Sequence, residues 1–139
     1  MEQKLIAIKE GKRFEATLMI ADEPPPYIHL TFDGYDWGRI EEKSLFSCMR
    51  TLHKQLDSAG VKLLCNGFRY DVRGSAMSRT PMGTRAYRLN PHKQHLTGAD
   101  LVYIFDPTDD ADAIVTVEEQ EAYFKKYLDE AGIARPPGL

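Results

Sequence analysis

Between Phe68 and Lys93 the sequence concentrates the residues best suited to recognition chemistry. Arg69, Arg73, Arg79, Arg85 and Arg88 are interleaved there with Phe68, Tyr70, Tyr87, Gly74, Gly83, Ser75 and Ser78. A guanidinium presents a planar fork that grips carboxylate or phosphate bidentately, and Gly-Ser backbone offers amide donors at close approach. Aromatic rings beside arginines also suit stacking on bases. Asn66, Arg69, Arg73, Ser78, Arg79, Arg85 and Arg88 are therefore the candidate ligand- or partner-binding residues. The competing reading is that the arginines pair with carboxylates nearer the C-terminus and keep a long loop in order.

Other chemistry is less well supported. Cys65 ends an apolar run before Asn66-Gly67, a place where nucleophiles sometimes sit, but a thiol there more often packs as a small hydrophobe. His92 and His95 lie in a polar stretch without further ligands at metal spacing, so they read as surface histidines, and His29 and His53 read as ordinary strand and helix positions. Asp106, Asp109, Asp110 and Asp112 lack the glycine and closing glutamate of a calcium loop. No Gly-x-x-x-x-Gly-Lys, Gly-x-Gly-x-x-Gly or Gly-x-Ser-x-Gly string occurs. No catalytic residue, metal or cofactor is assigned.

The charge is unevenly laid out. Of 139 residues, 18 are Lys or Arg and 21 are Asp or Glu, for a net charge of −3, which argues against a generally basic nucleic-acid coat. Residues 1–67 carry net −1, residues 68–99 net +5 and residues 100–139 net −7. The basic middle and acidic end either pair with each other or each face a partner. Two cysteines, a polar start at Met1-Glu-Gln-Lys4 and no apolar run of membrane length point to a reduced, cytosolic chain.

These residues need elements to hold them. A short apolar run over 4–8, period-two alternation over 13–20 and a β-branched, aromatic run over 27–32 predict strands, separated by Glu10-Gly-Lys12 and Pro24-Pro-Pro26. Asp33 to Gly38 reads as a loop. Leu45, Cys48, Met49, Leu52 and Leu56 share one helical face, predicting a helix over about 41–59 that stops at Gly60. Strands are expected over 61–65, 84–89 and 101–105, with a few strand residues at Ile114 and Val115. Thr116-Val-Glu-Glu119 is a capping box opening a helix over 117–131 that buries Val117, Phe124, Tyr127 and Leu128. The expected fold is α+β in one domain, 1–139, with a loose tail over about 133–139. It has a mainly antiparallel sheet of about six or seven short strands and two helices on one face.

The run Leu63-Leu-Cys-Asn-Gly-x-Arg-x-Asp-Val72, then Ser75-x-Met-Ser-Arg79, then Asp100-Leu-Val-x-Ile-Phe-Asp106 resembles a group of small bacterial proteins of uncharacterised activity. That resemblance transfers no catalytic residue. Proteins of this size and kind look like immunity or accessory proteins encoded near toxins. The leading expectation is accordingly a non-enzymatic bacterial cytosolic protein that binds and neutralises a protein partner, a toxin or a complex subunit. A basic toxin would meet the acidic 106–121 surface, and an acidic partner the arginine segment. The alternative is a small enzyme or sensor binding an anionic ligand, a nucleotide or phosphorylated metabolite, through residues 68–93. RNA or single-stranded DNA binding ranks third.

Overall fold

A computed structural model describes residues 1–74, 83–93 and 95–130. Four strands follow one another, each pairing antiparallel with the next: β1 (Glu2–Lys9), β2 (Lys12–Ala21), β3 (Tyr27–Phe32) and β4 (Tyr35–Glu41). The helix α1 (Leu45–Ala59) comes next, then a short strand β5 (Val61–Leu63) that pairs antiparallel with β1. The result is a five-stranded antiparallel sheet in the order β4-β3-β2-β1-β5. A second antiparallel sheet has β7 (Arg85–Arg88) between β6 (Val72–Arg73) and β8 (Leu101–Tyr103). The helix α2 (Val117–Glu130) ends the described chain. The α+β class and the antiparallel pairing match the sequence pattern, but the strands form two sheets.

Registration explains the core. Leu5, Ala7, Ala16, Leu18, Ile20, Ile28, Leu30 and Phe32 all point to one face, because Leu5 stands opposite Ala16, Leu18 opposite Leu30 and Ile20 opposite Ile28. All eight are buried. The apolar face of α1 covers them with Leu45, Cys48, Met49, Leu52 and Leu56, as the sequence spacing required. The same cluster continues into Val72, Ala86, Ile104, Phe105 and Ile114, so the small sheet shares this core. A second, smaller cluster joins Leu89 to Tyr127 and Leu128.

Several boundaries differ from expectation. Residues 33–38 are not a loop: Asp33-Gly34 alone makes the turn, with φ of 48° and 75°, and β4 resumes at Tyr35. Both central residues of this hairpin turn are left-handed, which Asp-Gly supplies without strain. The first helix starts at Leu45 and not at 41, because Glu41 still belongs to β4 and Ser44 caps the helix by accepting from Ser47 N at 3.1 Å. The strands expected over 61–65 and 101–105 stop at Leu63 and Tyr103, and Cys65 makes only an isolated bridge to Pro107. Ile114 likewise contributes a single bridge, to Arg69. The second helix opens on its capping box, Glu119 N donating to Thr116 Oγ1 at 3.2 Å and Thr116 N to Glu119 Oε1 at 3.1 Å. It buries Gln120 where the pattern had Phe124, which is half-buried. The expected tail at 133–139 lies outside the described residues.

Candidate functional site

Short connections between β5 and β6 bring the arginine segment against the main core. After β5, residues Asn66–Phe68 make one turn of 3₁₀ helix. Gln120 of α2 fastens this turn, its Nε2 donating to Gly67 O at 3.0 Å and to Arg69 O at 2.7 Å. Asn66 Nδ2 donates to Tyr103 O at 3.2 Å, and Asn66 N to Asp106 O at 2.9 Å.

The arginines then diverge. Arg69 is 7% exposed and clamps the equally buried Asp71, with Nε to Oδ1 at 2.9 Å and Nη2 to Oδ2 at 3.2 Å. Its Nη1 donates to Thr108 Oγ1 at 3.2 Å. The Asp71 hydrogen bond dominates the Arg69 environment and raises its pKa further above the ordinary arginine value. Arg88 reaches the same carboxylate from β7, Nε to Oδ2 at 3.0 Å, with the rest of its side chain half in solvent. Arg73 on β6 donates from Nη1 to Glu121 Oε1 at 2.7 Å and lies 4.3 Å over the Phe124 ring. Arg85 is exposed on β7, donating to the Tyr103 hydroxyl at 2.6 Å and lying over that ring. Ser78 and Arg79 fall outside the described residues. The structure thus brings Asn66 and Arg85 together at Tyr103, joins Arg69 and Arg88 at Asp71, and sends Arg73 to α2.

Sequence reasoning passed over three groups that matter here. Asp71, the one acidic residue of the basic segment, is the hub for two arginines. Arg50 on α1 donates from Nη2 to Glu121 Oε1 at 2.7 Å, so Glu121 receives two guanidiniums on one oxygen. Burial alone would raise the Glu121 pKa, yet the two donors hold it below the usual carboxylate value. His53 is not an ordinary helix position: it is buried, stacked on Phe68 at 4.1 Å between ring centres, and bonded through Nε2 to Val115 O at 2.7 Å. A carbonyl only accepts, so Nε2 carries the proton. Desolvation lowers the His53 pKa despite Asp57 beside it. None of these long-range partners has a local sequence signal.

Cys65 is fully buried, and desolvation pushes its thiol up to about 12. A thiolate is the nucleophilic form, so this sulfur is inert packing. Cys48 is shifted upward for the same reason.

The acidic loop behaves oppositely. Asp106, Asp109, Asp110 and Asp112 are exposed, and none of the four side chains has an ion-pair or hydrogen-bond partner among the described residues. Asp106 also borders an apolar cleft of about 520 Å³ lined by Ile20, Asp22, Leu45, Thr84, Tyr103 and Phe105. This cleft lies where the ends of β1 and β2 approach β8. No protein family matches the chain, and no curated protein shows significant similarity to it. Among the described residues no helix is long and apolar enough to cross a membrane.

Proposed function

We propose that the chain is a non-enzymatic binding protein, of the immunity or accessory kind, that captures a basic segment of a partner protein. One observation carries this reading: the apolar cleft is continuous, through Asp106, with a loop of exposed carboxylates that have no ion-pair or hydrogen-bond partner among the described residues. Desolvated apolar contact supplies affinity at the centre of an interface, and a charged rim steers encounter and selects the partner. The basic segment supports the same assignment by subtraction. Arg69, Arg73 and Arg88 each meet a carboxylate within the chain, and the charged side chains that line the cleft are Asp22 and Asp106. Asp22 and Asp106 at the cleft suit a segment that alternates aliphatic and cationic side chains. The remainder of the reading, a bacterial cytosolic setting in which the partner is a basic toxin, is part of this proposal.

A ten-residue peptide alternating Leu and Lys serves as the probe, with an alternating Leu and Glu peptide as control. The wild-type chain binds the first and not the second, with affinity that falls as salt rises. The Asp106→Asn, Asp109→Asn, Asp112→Asn triple variant loses at least about tenfold in affinity with an unchanged melting temperature, because none of these side chains has an ion-pair or hydrogen-bond partner among the described residues. Equal binding of both peptides, or a triple variant that binds as wild type, overturns the proposal.

A further inference from the structure

On a different face, the structure points to a phosphate-ester site in the cleft between α1, β6 and α2. This polar cleft of about 530 Å³ is lined by Phe46, Arg50 and Lys54 of α1 and by Arg73 and Gly74, with Glu121 of α2 bonded to both Arg50 and Arg73. It falls within the size range of small-molecule pockets. Three cations, Arg50, Lys54 and Arg73, stand in it against two carboxylates, Glu42 and Glu121. Thr51 already donates to Glu42 at 3.0 Å.

The arrangement around Glu121 exceeds what a brace requires. One carboxylate balances one guanidinium, yet Glu121 Oε1 takes both Arg50 and Arg73 at 2.7 Å. A guanidinium has five N–H donors. Each of these two places one hydrogen bond on the protein, and neither has a further protein acceptor among the described residues. Arg73 is only 18% exposed, and the Phe124 ring beneath it fixes its plane. Two held forks with unused donors, and one surplus positive charge, match the acceptor oxygens and negative charge of a phosphate group. Lys54 adds a point charge without any internal partner among the described residues.

The body of the ester has its own wall. A Cβ added at Gly74 would lie 2.5 Å from the Phe46 ring, so the ring rests directly on that backbone and presents an apolar surface beside the cations. The ligand class is therefore a small phosphate monoester with an apolar or planar body. This inference does not rest on the basic-partner reading, which uses the cleft at Tyr103 and Phe105.

Calorimetric titration with inorganic phosphate and with phenyl phosphate, against sodium chloride at equal ionic strength, tests it. Wild type binds both anions saturably and phenyl phosphate more tightly, while chloride gives no saturable signal. Arg50→Gln and Arg73→Gln each weaken phenyl phosphate about tenfold or more. Lys54→Gln weakens it about threefold with an unchanged melting temperature, and because Lys54 takes no part in the brace this variant reports on binding even if the arginine variants unfold. Absence of saturable phosphate binding, phenyl phosphate binding no better than phosphate, or a Lys54→Gln variant with wild-type affinity overturns the assignment.

Discussion

Asp71 shows how much one buried carboxylate can organise. It is held by Arg69 inside and by Arg88 at the surface, so the two partners should respond differently to mutation. Asp71→Asn leaves the buried Arg69 guanidinium without its counter-charge and should destabilise by about 3–5 kcal/mol in urea unfolding. Arg88→Ala removes a half-exposed partner and should cost only about 0–1 kcal/mol. Comparable losses from both would refute the division between an inner pair and an outer one. His53 gives a pH prediction with a definite sign. Its folded pKa lies below the ordinary value of 6.5 because burial opposes the charge. The unfolded chain therefore takes up a proton that the native chain resists, and stability that is full above pH 6.5 declines as pH falls through that value. His53→Gln keeps a donor for Val115 O but cannot titrate. Wild type should lose more stability than this variant between pH 7.5 and 5.5, and parallel losses would remove His53 as the cause.

At the scale of elements, α1 and α2 are stabilised by different means. α1 lies on the five-stranded sheet, and Leu52, fully buried on it, anchors the helix by packing. Leu52→Ala should cost about 2–5 kcal/mol, since the sheet beneath cannot collapse to fill the space. α2 begins with a reciprocal cap on the surface and buries Val117, Gln120, Tyr127 and Leu128, the last two in the smaller cluster with Leu89. Thr116→Ala should cost about 1 kcal/mol, the ordinary value of an N-cap. Chemical denaturation of both variants measures the contrast. The two helices are also tied to each other: Asp57 Oδ2 of α1 accepts from Val117 N at 2.9 Å, and Arg50 reaches Glu121. The turn at Asn66–Phe68 sits between them, held by Gln120.

Over the whole molecule, pairing within the chain decides which charge is presented. Among the described residues of the net +5 segment, Arg73 pairs with Glu121 and Lys93 with Asp100, carboxylates from outside it, while Arg69 and Arg88 share Asp71, which that net charge already counts. The acidic loop at 106–112 keeps its charge in solvent. Raising salt should therefore weaken capture of a cationic partner while leaving melting temperature nearly unchanged, because the exposed carboxylates contribute to encounter and not to the fold. A melting temperature that shifts with salt as steeply as binding does would show that the loop carries internal pairs.

Local sequence by itself determined the strands β1 to β3, the buried face of α1 and the capped start of α2. In each case the signal is local: an apolar, alternating or β-branched run for a strand, a repeat of three and four on a helix, or a Thr and a Glu three apart. The Asp33-Gly34 hairpin was legible too, because that dipeptide is itself the turn, although it was read as the start of a longer loop. Asn66 and the arginines could be picked out by type, but their partners could not. Arg73 meets Glu121 across 48 residues, Arg50 meets the same oxygen across 71, and His53 meets Val115 across 62. Only the tertiary structure decides such pairings, because an ion pair or a buried hydrogen bond depends on two groups converging in space and leaves no period in the chain. For the same reason only the structure showed that Arg69 and Arg73 turn inward while the aspartate loop faces outward.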